Sequence, residues 1–298
     1  MSLRQWLWLS LLAFLWGSAF ILMEVALPVF SPVLIVTGRM TVAAVVLNAV
    51  LWCQRSRWIK MTTLPRSLWL KCGALSLVNN LVPFGLVVWG QQYISASLAS
   101  ILIATAPLFT VLLAVFLEKE RLTPARGTGV VLGFAGVIVL IGPEVLHGLD
   151  LRGLGEVALL AAALAYSLSG FAGRRFRNTP AQLVSTMTVT AGALIMIPIA
   201  LFWESPLAIE WQWPAGLAIL ALGVFPTAIA YLIYFYLLAE AGVVKTSLVS
   251  FLVPLSALVL ASLLLHERLG GSEIAGMALI LSGLVVIDGR LFRQLYTR

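Results

Sequence analysis

The sequence predicts an all-α membrane protein: ten transmembrane helices, arranged as two inverted five-helix repeats. Three observations predict it. The composition suits a lipid solvent, with 61% hydrophobic and only 10% charged residues, against roughly 25% charged in a soluble domain. A segment recurs 147 residues later without a gap. Pro107-Leu108, Leu113-Ala114, Leu117, Glu120-Arg121-Leu122, Gly129, Leu132, Gly136 and Val139 reappear as Pro254-Leu255, Leu260-Ala261, Leu264, Glu267-Arg268-Leu269, Gly276, Leu279, Gly283 and Val286. Third, the basic residues gather in alternate loops.

Apolar runs flanked by Pro, Gly and charge read as helices, because an open sheet edge in lipid leaves its backbone unpaired. The first, Trp6–Met23, follows Arg4; its length and the many spans behind it distinguish it from a signal peptide. Pro32–Cys53 and Cys72–Trp89 flank a basic loop, and Leu98–Leu117 and Gly127–Gly142 flank the first Glu-Arg turn. The second set is Val157–Gly173, Leu183–Trp203, Pro214–Ala239, Thr246–Leu265 and Ile274–Ile287. The fifth and tenth are short for a span of about 20 residues, and they are equivalent members of the two sets. The division expected is 1–143 for the first repeat and 144–298 for the second.

The excess of Lys and Arg in cytoplasmic loops sets orientation. With the N-terminus inside, cytoplasmic segments hold Arg4; Arg55, Arg57, Lys60, Arg66 and Lys71; Lys119, Arg121 and Arg126; Arg174, Arg175 and Arg177; Lys245; and Arg290, Arg293 and Arg298. These are 16 of the 19 basic residues. Outer loops keep Arg152 and Arg268, with most of the acids: Glu24, Glu144, Asp150, Glu204, Glu210, Glu267 and Glu273. Ten spans place both termini in the cytoplasm. Five spans per repeat is an odd number, so the second repeat enters the membrane inverted, as in many secondary transporters. The Glu-Arg turn itself reads as a structural helix connection.

The residues Trp16-Gly17-Ser18, Arg39, Pro107 with Glu120-Arg121-Leu122, Pro254 with Glu267-Arg268-Leu269, and the glycines of the tenth span resemble the EamA-type members of the drug/metabolite transporter superfamily. The resemblance covers nearly the whole chain, one unit per half. Two departures are Tyr166-Ser167, standing where the first span has Trp16-Gly17, and Glu24, where such units often carry a basic residue. The resemblance implies alternating access around a central cavity and export of small metabolites across the inner membrane. Among family members the chain is most similar to exporters of amino acids, including aromatic ones. Other amphipathic metabolites or drugs are the alternative, and a pore or a non-transporting scaffold is a rival of another class.

Polar groups deep in a bilayer face the bundle interior or a water-filled cavity. The third span carries Asn79 and Asn80, then Phe84 and Gln91, with Asn80, Phe84 and Gln91 on one face. The offset of 147 places Thr227, Tyr231 and Tyr234 on the equivalent part of the eighth. Asn79, Asn80, Phe84, Tyr231 and Tyr234, with Trp16 and Tyr166, are the candidate substrate-binding residues; simple interhelical hydrogen bonding is the alternative. Ser247 and Ser250 can contact substrate or satisfy their own backbone. Pro83, Pro107, Pro226 and Pro254 interrupt their helices as kinks, either gating hinges or plain bends. Arg39 can snorkel, pair with Glu24 or meet a substrate carboxylate. Trp6, Trp8, Trp52, Trp58, Trp69, Trp203, Trp211 and Trp213 read as interfacial anchors.

Several classes are excluded. Without a Walker A motif, ATP-driven transport by this chain alone is not expected. The two cysteines, Cys53 and Cys72, make neither a disulfide framework nor a metal site, and His147 and His266 lie in turns. No buried nucleophile with a base, and no pair of buried acids, supports an enzyme. No basic face interleaved with aromatics supports nucleic-acid binding. No cofactor is implied. The expected partners are the lipid bilayer and an amino-acid-like small molecule, and one protomer holding both repeats should suffice. Coupling by an end-placed acid such as Glu24, exchange and uncoupled transport all remain open.

Overall fold

Short polar residues and prolines at the edges of the apolar runs start the helices. In the computed structural model, which describes residues 2–55, 61, 63–142, 150–176, 178–204 and 210–289, Ser31 accepts from the Leu34 amide at 3.3 Å and Pro32 opens the helix behind it. Thr123 and Pro124 do the same with Arg126, and Asp150 caps Gly153 at 2.8 Å. Each cap satisfies a backbone donor that has no intrahelical partner, and proline suits the first turn because its missing N–H is not needed there.

The helices are α1 Leu3–Ala26, α2 Pro32–Cys53, α3 Arg66–Gly90, α4 Ala96–Glu118, α5 Pro124–Ile141, α6 Leu151–Phe176, α7 Ala181–Trp203, α8 Trp213–Ala241, α9 Val249–Leu264 and α10 Gly271–Asp288. Nine are long and apolar enough to span a membrane; α9, at 16 residues, follows a short helix Val243–Thr246. No strand occurs among the described residues. The predicted bounds of α2 are met, whereas α3 begins at Arg66 rather than Cys72, because the basic loop residues Arg66 and Lys71 continue the helix beyond the apolar run. Trp58, His147, Arg57, Lys60, Glu144, Arg177, Arg290, Arg293 and Arg298 lie outside the described residues.

Large apolar side chains cover the outside as well as the core: Phe116, Val131, Ile138, Phe202 and Trp203 are all exposed. Such a surface is the mark of a chain solvated by lipid. Trp52, Trp203, Trp211 and Trp213 are exposed near helix ends, where indole rings suit the headgroup level.

The duplication is visible in the backbone. The two ends of α10 lie 147 residues beyond those of α5. Lys119 and His266, also 147 apart, are the two non-glycine residues with positive φ among the described residues, at 54° and 56°. In both turns the following glutamate amide returns to the preceding helix, Glu120 to Ala114 O at 3.2 Å and Glu267 to Ala261 O at 3.3 Å. The turns thus share one conformation.

Helices α5 and α10 pack closely and antiparallel. A Cβ on Gly129 would lie 2.6 Å from Gly283 O, and one on Gly136 2.7 Å from Gly276 O. Gly129 and Gly276 are equivalent positions, as are Gly136 and Gly283, so the contact is made twice by the same pair of residues. Absence of side chains lets the two backbones touch, which is how apolar helices gain packing in lipid.

Candidate functional site

Each of α3 and α8 contains a π-helical turn, Leu77–Leu81 and Val224–Ile229. Their first residues are again 147 apart. Such turns concentrate at functional sites because they redirect side chains and free carbonyls. In α8 the cause is legible: Pro226 has no N–H to give Leu222 O. The Thr227 hydroxyl takes that place, donating to Leu222 O at 2.7 Å. Its oxygen then accepts from Arg39 Nε of α2 at 2.8 Å. A proline in the chain has thereby turned a threonine hydroxyl toward an arginine.

Arg39 is 6% exposed, and its guanidinium carbon stands 3.7 Å from the Phe84 ring centroid. The Phe84 ring meets Tyr166 of α6 at 6.4 Å between centroids. Beside them, Tyr231 donates its hydroxyl to Asn80 Oδ1 at 2.8 Å and accepts from Asn79 Nδ2 at 3.3 Å. Asn79 Nδ2 also reaches Asn80 Oδ1 at 3.0 Å, and the Ser169 hydroxyl lies 3.0 Å from Asn79 Oδ1. Asn80 Nδ2 contacts Ser76 Oγ at 3.4 Å. Helices α2, α3, α6 and α8 therefore converge on one polar, aromatic-walled centre. Equivalent positions face each other there, Asn80 and Phe84 from the first set with Thr227 and Tyr231 from the second.

The structure brings Asn79, Asn80, Phe84, Tyr166 and Tyr231 together. Trp16 and Tyr234 form a second aromatic group, 5.7 Å between rings, linked to Tyr231 through Phe235. Ser247 is exposed at the break before α9, and Ser250 is half-buried on the first turn of α9. Arg39 does not meet Glu24: the arginine points to the centre, while Glu24 lies near the end of α1, 3.4 Å from Gln91 Nε2. Gln91 also donates to Phe20 O at 3.0 Å, so it belongs to that end rather than to the face of Asn80. Ser169 joins this cluster through Asn79, although the sequence did not single it out; its signal was its place one turn beyond Tyr166.

The prolines divide. Pro226 lies inside one π-helical turn and Pro83 directly after the other. Pro107 follows a break in α4 at Ala104-Thr105. Pro254, expected to interrupt its helix, stands inside a continuous α9. The interruption comes earlier, at Ser247-Leu248, where the chain turns between Val243–Thr246 and α9.

Elsewhere, a hollow of about 560 Å³ between α1, α8 and α9 is lined by Leu11, Phe14, Leu15, Ser18, Ile21, Leu22, Ala221, Phe225, Ile229, Leu260 and Leu264. Leu11, Phe14, Phe225 and Leu264 are exposed to the surroundings, and the Ser18 hydroxyl is spent on Leu15 O at 2.8 Å. It is an apolar recess on the lipid side, without the placed polar groups of the centre.

Residues 4–142 and 153–288 each match the EamA-like transporter family. The chain is 26% identical to the uncharacterized transporter YoaV of Bacillus subtilis, over 91% of each chain. It is 30% identical to a probable terminal-alkyne amino-acid exporter of Streptantibioticus cattleyicolor, over 97% of this chain and 95% of that one. It is 27% identical to a probable amino-acid metabolite efflux pump of Salmonella typhimurium, over 93% and 92%. A crystal structure 22% identical in sequence shares the fold, with a TM-score of 0.67 over 94% of this chain and 95% of that one.

Proposed function

The chain belongs to the EamA-like transporter family, and from that premise we propose that it exports amino acids, aromatic ones included, across the inner membrane by alternating access between two inverted halves. The observation that carries this reading is the centre where Asn80 and Phe84 meet Thr227 and Tyr231. An apolar pocket with a few placed polar groups is the usual form of a small-molecule site, and ring walls suit flat, partly apolar solutes. Two of the relatives are named for the export of amino acids or their metabolites.

Two features support the inverted arrangement. Equivalent helices α5 and α10 run antiparallel through equivalent glycines, as a two-fold axis in the membrane plane requires. The loop charges favour cytoplasmic termini, with the halves dividing at 143–144 and a single protomer holding both.

One asymmetry supports alternating access. The Glu267 carboxylate clasps the start of α4, accepting from the Ala96 and Ser97 amides at 3.0 Å each, and Ala96–Leu102 is wholly buried. At the equivalent position Glu120 pairs with Arg126 at 2.9 Å in the open, and Lys245 and Ser247, ahead of α9, are exposed. A carrier resting with its outer end closed and its inner end open has this form. In the opposite state Glu120 takes the amides at the start of Val243–Thr246, and Glu267 releases α4.

The test is uptake of radiolabelled phenylalanine or tryptophan into proteoliposomes. The reading expects saturable uptake, competed by other amino acids and lost in Asn80→Ala and Tyr231→Ala. No uptake, with or without an imposed proton gradient, contradicts the amino-acid assignment.

A further inference from the structure

We infer that Arg39 is the anion-reading group of the central site, so that the transported molecules carry a carboxylate and those whose only charge is positive are refused. The inference rests on the transport reading above and deepens it by naming the chemistry of the substrate. Arg39 is the one buried cation among the described residues, about 10 Å along α2 from Pro32 and about 21 Å from Cys53. It is therefore too deep to reach either interface easily.

No acidic side chain among the described residues pairs with it. The three ion pairs among the described residues are Arg126–Glu120, Arg152–Glu156 and Arg174–Glu118. Glu24 sits with Gln91 at the end of the molecule. Arg39 spends Nε on Thr227 and its flat face on Phe84, and lies within electrostatic reach of Tyr166 and Tyr231. Its two Nη groups make no hydrogen bond to any described residue. That leaves donors of a planar fork free, and a carboxylate accepts such a fork through two parallel bonds. The ring below and the threonine beside it hold the fork in place before a ligand arrives.

The fold does not demand a guanidinium at this position. In the second half the corresponding helix, α7 (Ala181–Trp203), carries no charged residue at all. The same helix is built there without a charge. One buried cation matches the single charge of a carboxylate; the second charge of a phosphate monoester would go unpaired, which burial penalises. Tyr231, within electrostatic reach of Arg39, carries the hydrogen bonds on to Asn79 and Asn80, whose amides would receive the uncharged or ammonium part of the same molecule.

The test compares three molecules of one skeleton on the purified full chain: phenylalanine, phenylpropionate (carboxylate only) and phenethylamine (amine only). Binding is read as thermal stabilisation across a titration. Phenylpropionate is expected to bind at least about tenfold more tightly than phenethylamine, the scale of a charge-assisted hydrogen-bond pair. In Arg39→Gln that preference falls to near unity, and in Arg39→Lys, which keeps the charge and loses the fork, it is intermediate. A purely packing role for Arg39 would lower the melting temperature of both variants and leave the preference unchanged, and that result overturns the inference. So does a wild-type protein that favours phenethylamine, a result needing no variant. Binding of phenylpropionate without phenylalanine would remove the amino-acid assignment and leave the carboxylate reading intact.

Discussion

The Tyr231 hydroxyl both donates to Asn80 and accepts from Asn79, so Tyr231→Phe removes one atom and loosens two amides without opening space. A net hydrogen bond is worth about 1 kcal/mol, which is roughly fivefold in affinity. We expect KM for the transported solute to rise by about that factor while the melting temperature changes little. The meeting of Asn79, Asn80 and Tyr231 was legible because amides and hydroxyls are conspicuous inside apolar helices. The partner of Arg39 was not legible. Sequence offered Glu24 as the nearest acid and gave no sign that Pro226 would turn Thr227 toward α2.

The α5–α10 crossing and the two ends of the α4–α9 pair make separate predictions. Gly136→Leu places a side chain where even a Cβ would be 2.7 Å from Gly276 O. Overpacking of this kind costs about 1–3 kcal/mol, so a marked fall in melting temperature in detergent is expected, against little change for Gly85→Leu, which has nothing nearby. Glu267→Ala removes the clasp on Ala96 and Ser97. In a background lacking Cys53 and Cys72, a cysteine at Ser97 should then become several-fold more reactive to an impermeant thiol reagent, since loss of one or two charge-assisted bonds shifts a two-state balance by that order. Unchanged reactivity contradicts the gating role of Glu267. The repeat made α5, α10 and the Glu-Arg turns readable from the amino-acid order alone. The breaks at Ala104-Thr105 and Ser247-Leu248 were hidden, because prolines marked α4 correctly but drew attention in α9 to Pro254, which the helix absorbs. Helix ends moved outward where charged loop residues, such as Arg66, extend an apolar run.

The molecule as a whole is a ten-helix membrane transporter whose two helix sets repeat the Glu-Arg turns, the starts of the π-helical turns and the ends of α5 and α10 at one spacing. That much was written in composition and duplication; the contents of the centre depended on contacts between helices far apart in sequence. If the loop charges set the orientation, both termini lie in the cytoplasm, and protease added to intact spheroplasts should leave a tag at either end uncut while cutting one once the membrane is opened; cleavage of either in sealed spheroplasts contradicts the orientation. The central claim is that one site faces the two sides in turn. Counterflow tests it most directly: proteoliposomes are loaded with unlabelled phenylalanine and diluted into a trace of labelled phenylalanine with no ion gradient. The account predicts a transient accumulation of label above its equilibrium level, abolished by Asn80→Ala. Entry of label that rises only to equilibrium, at a rate indifferent to the internal load, would contradict it.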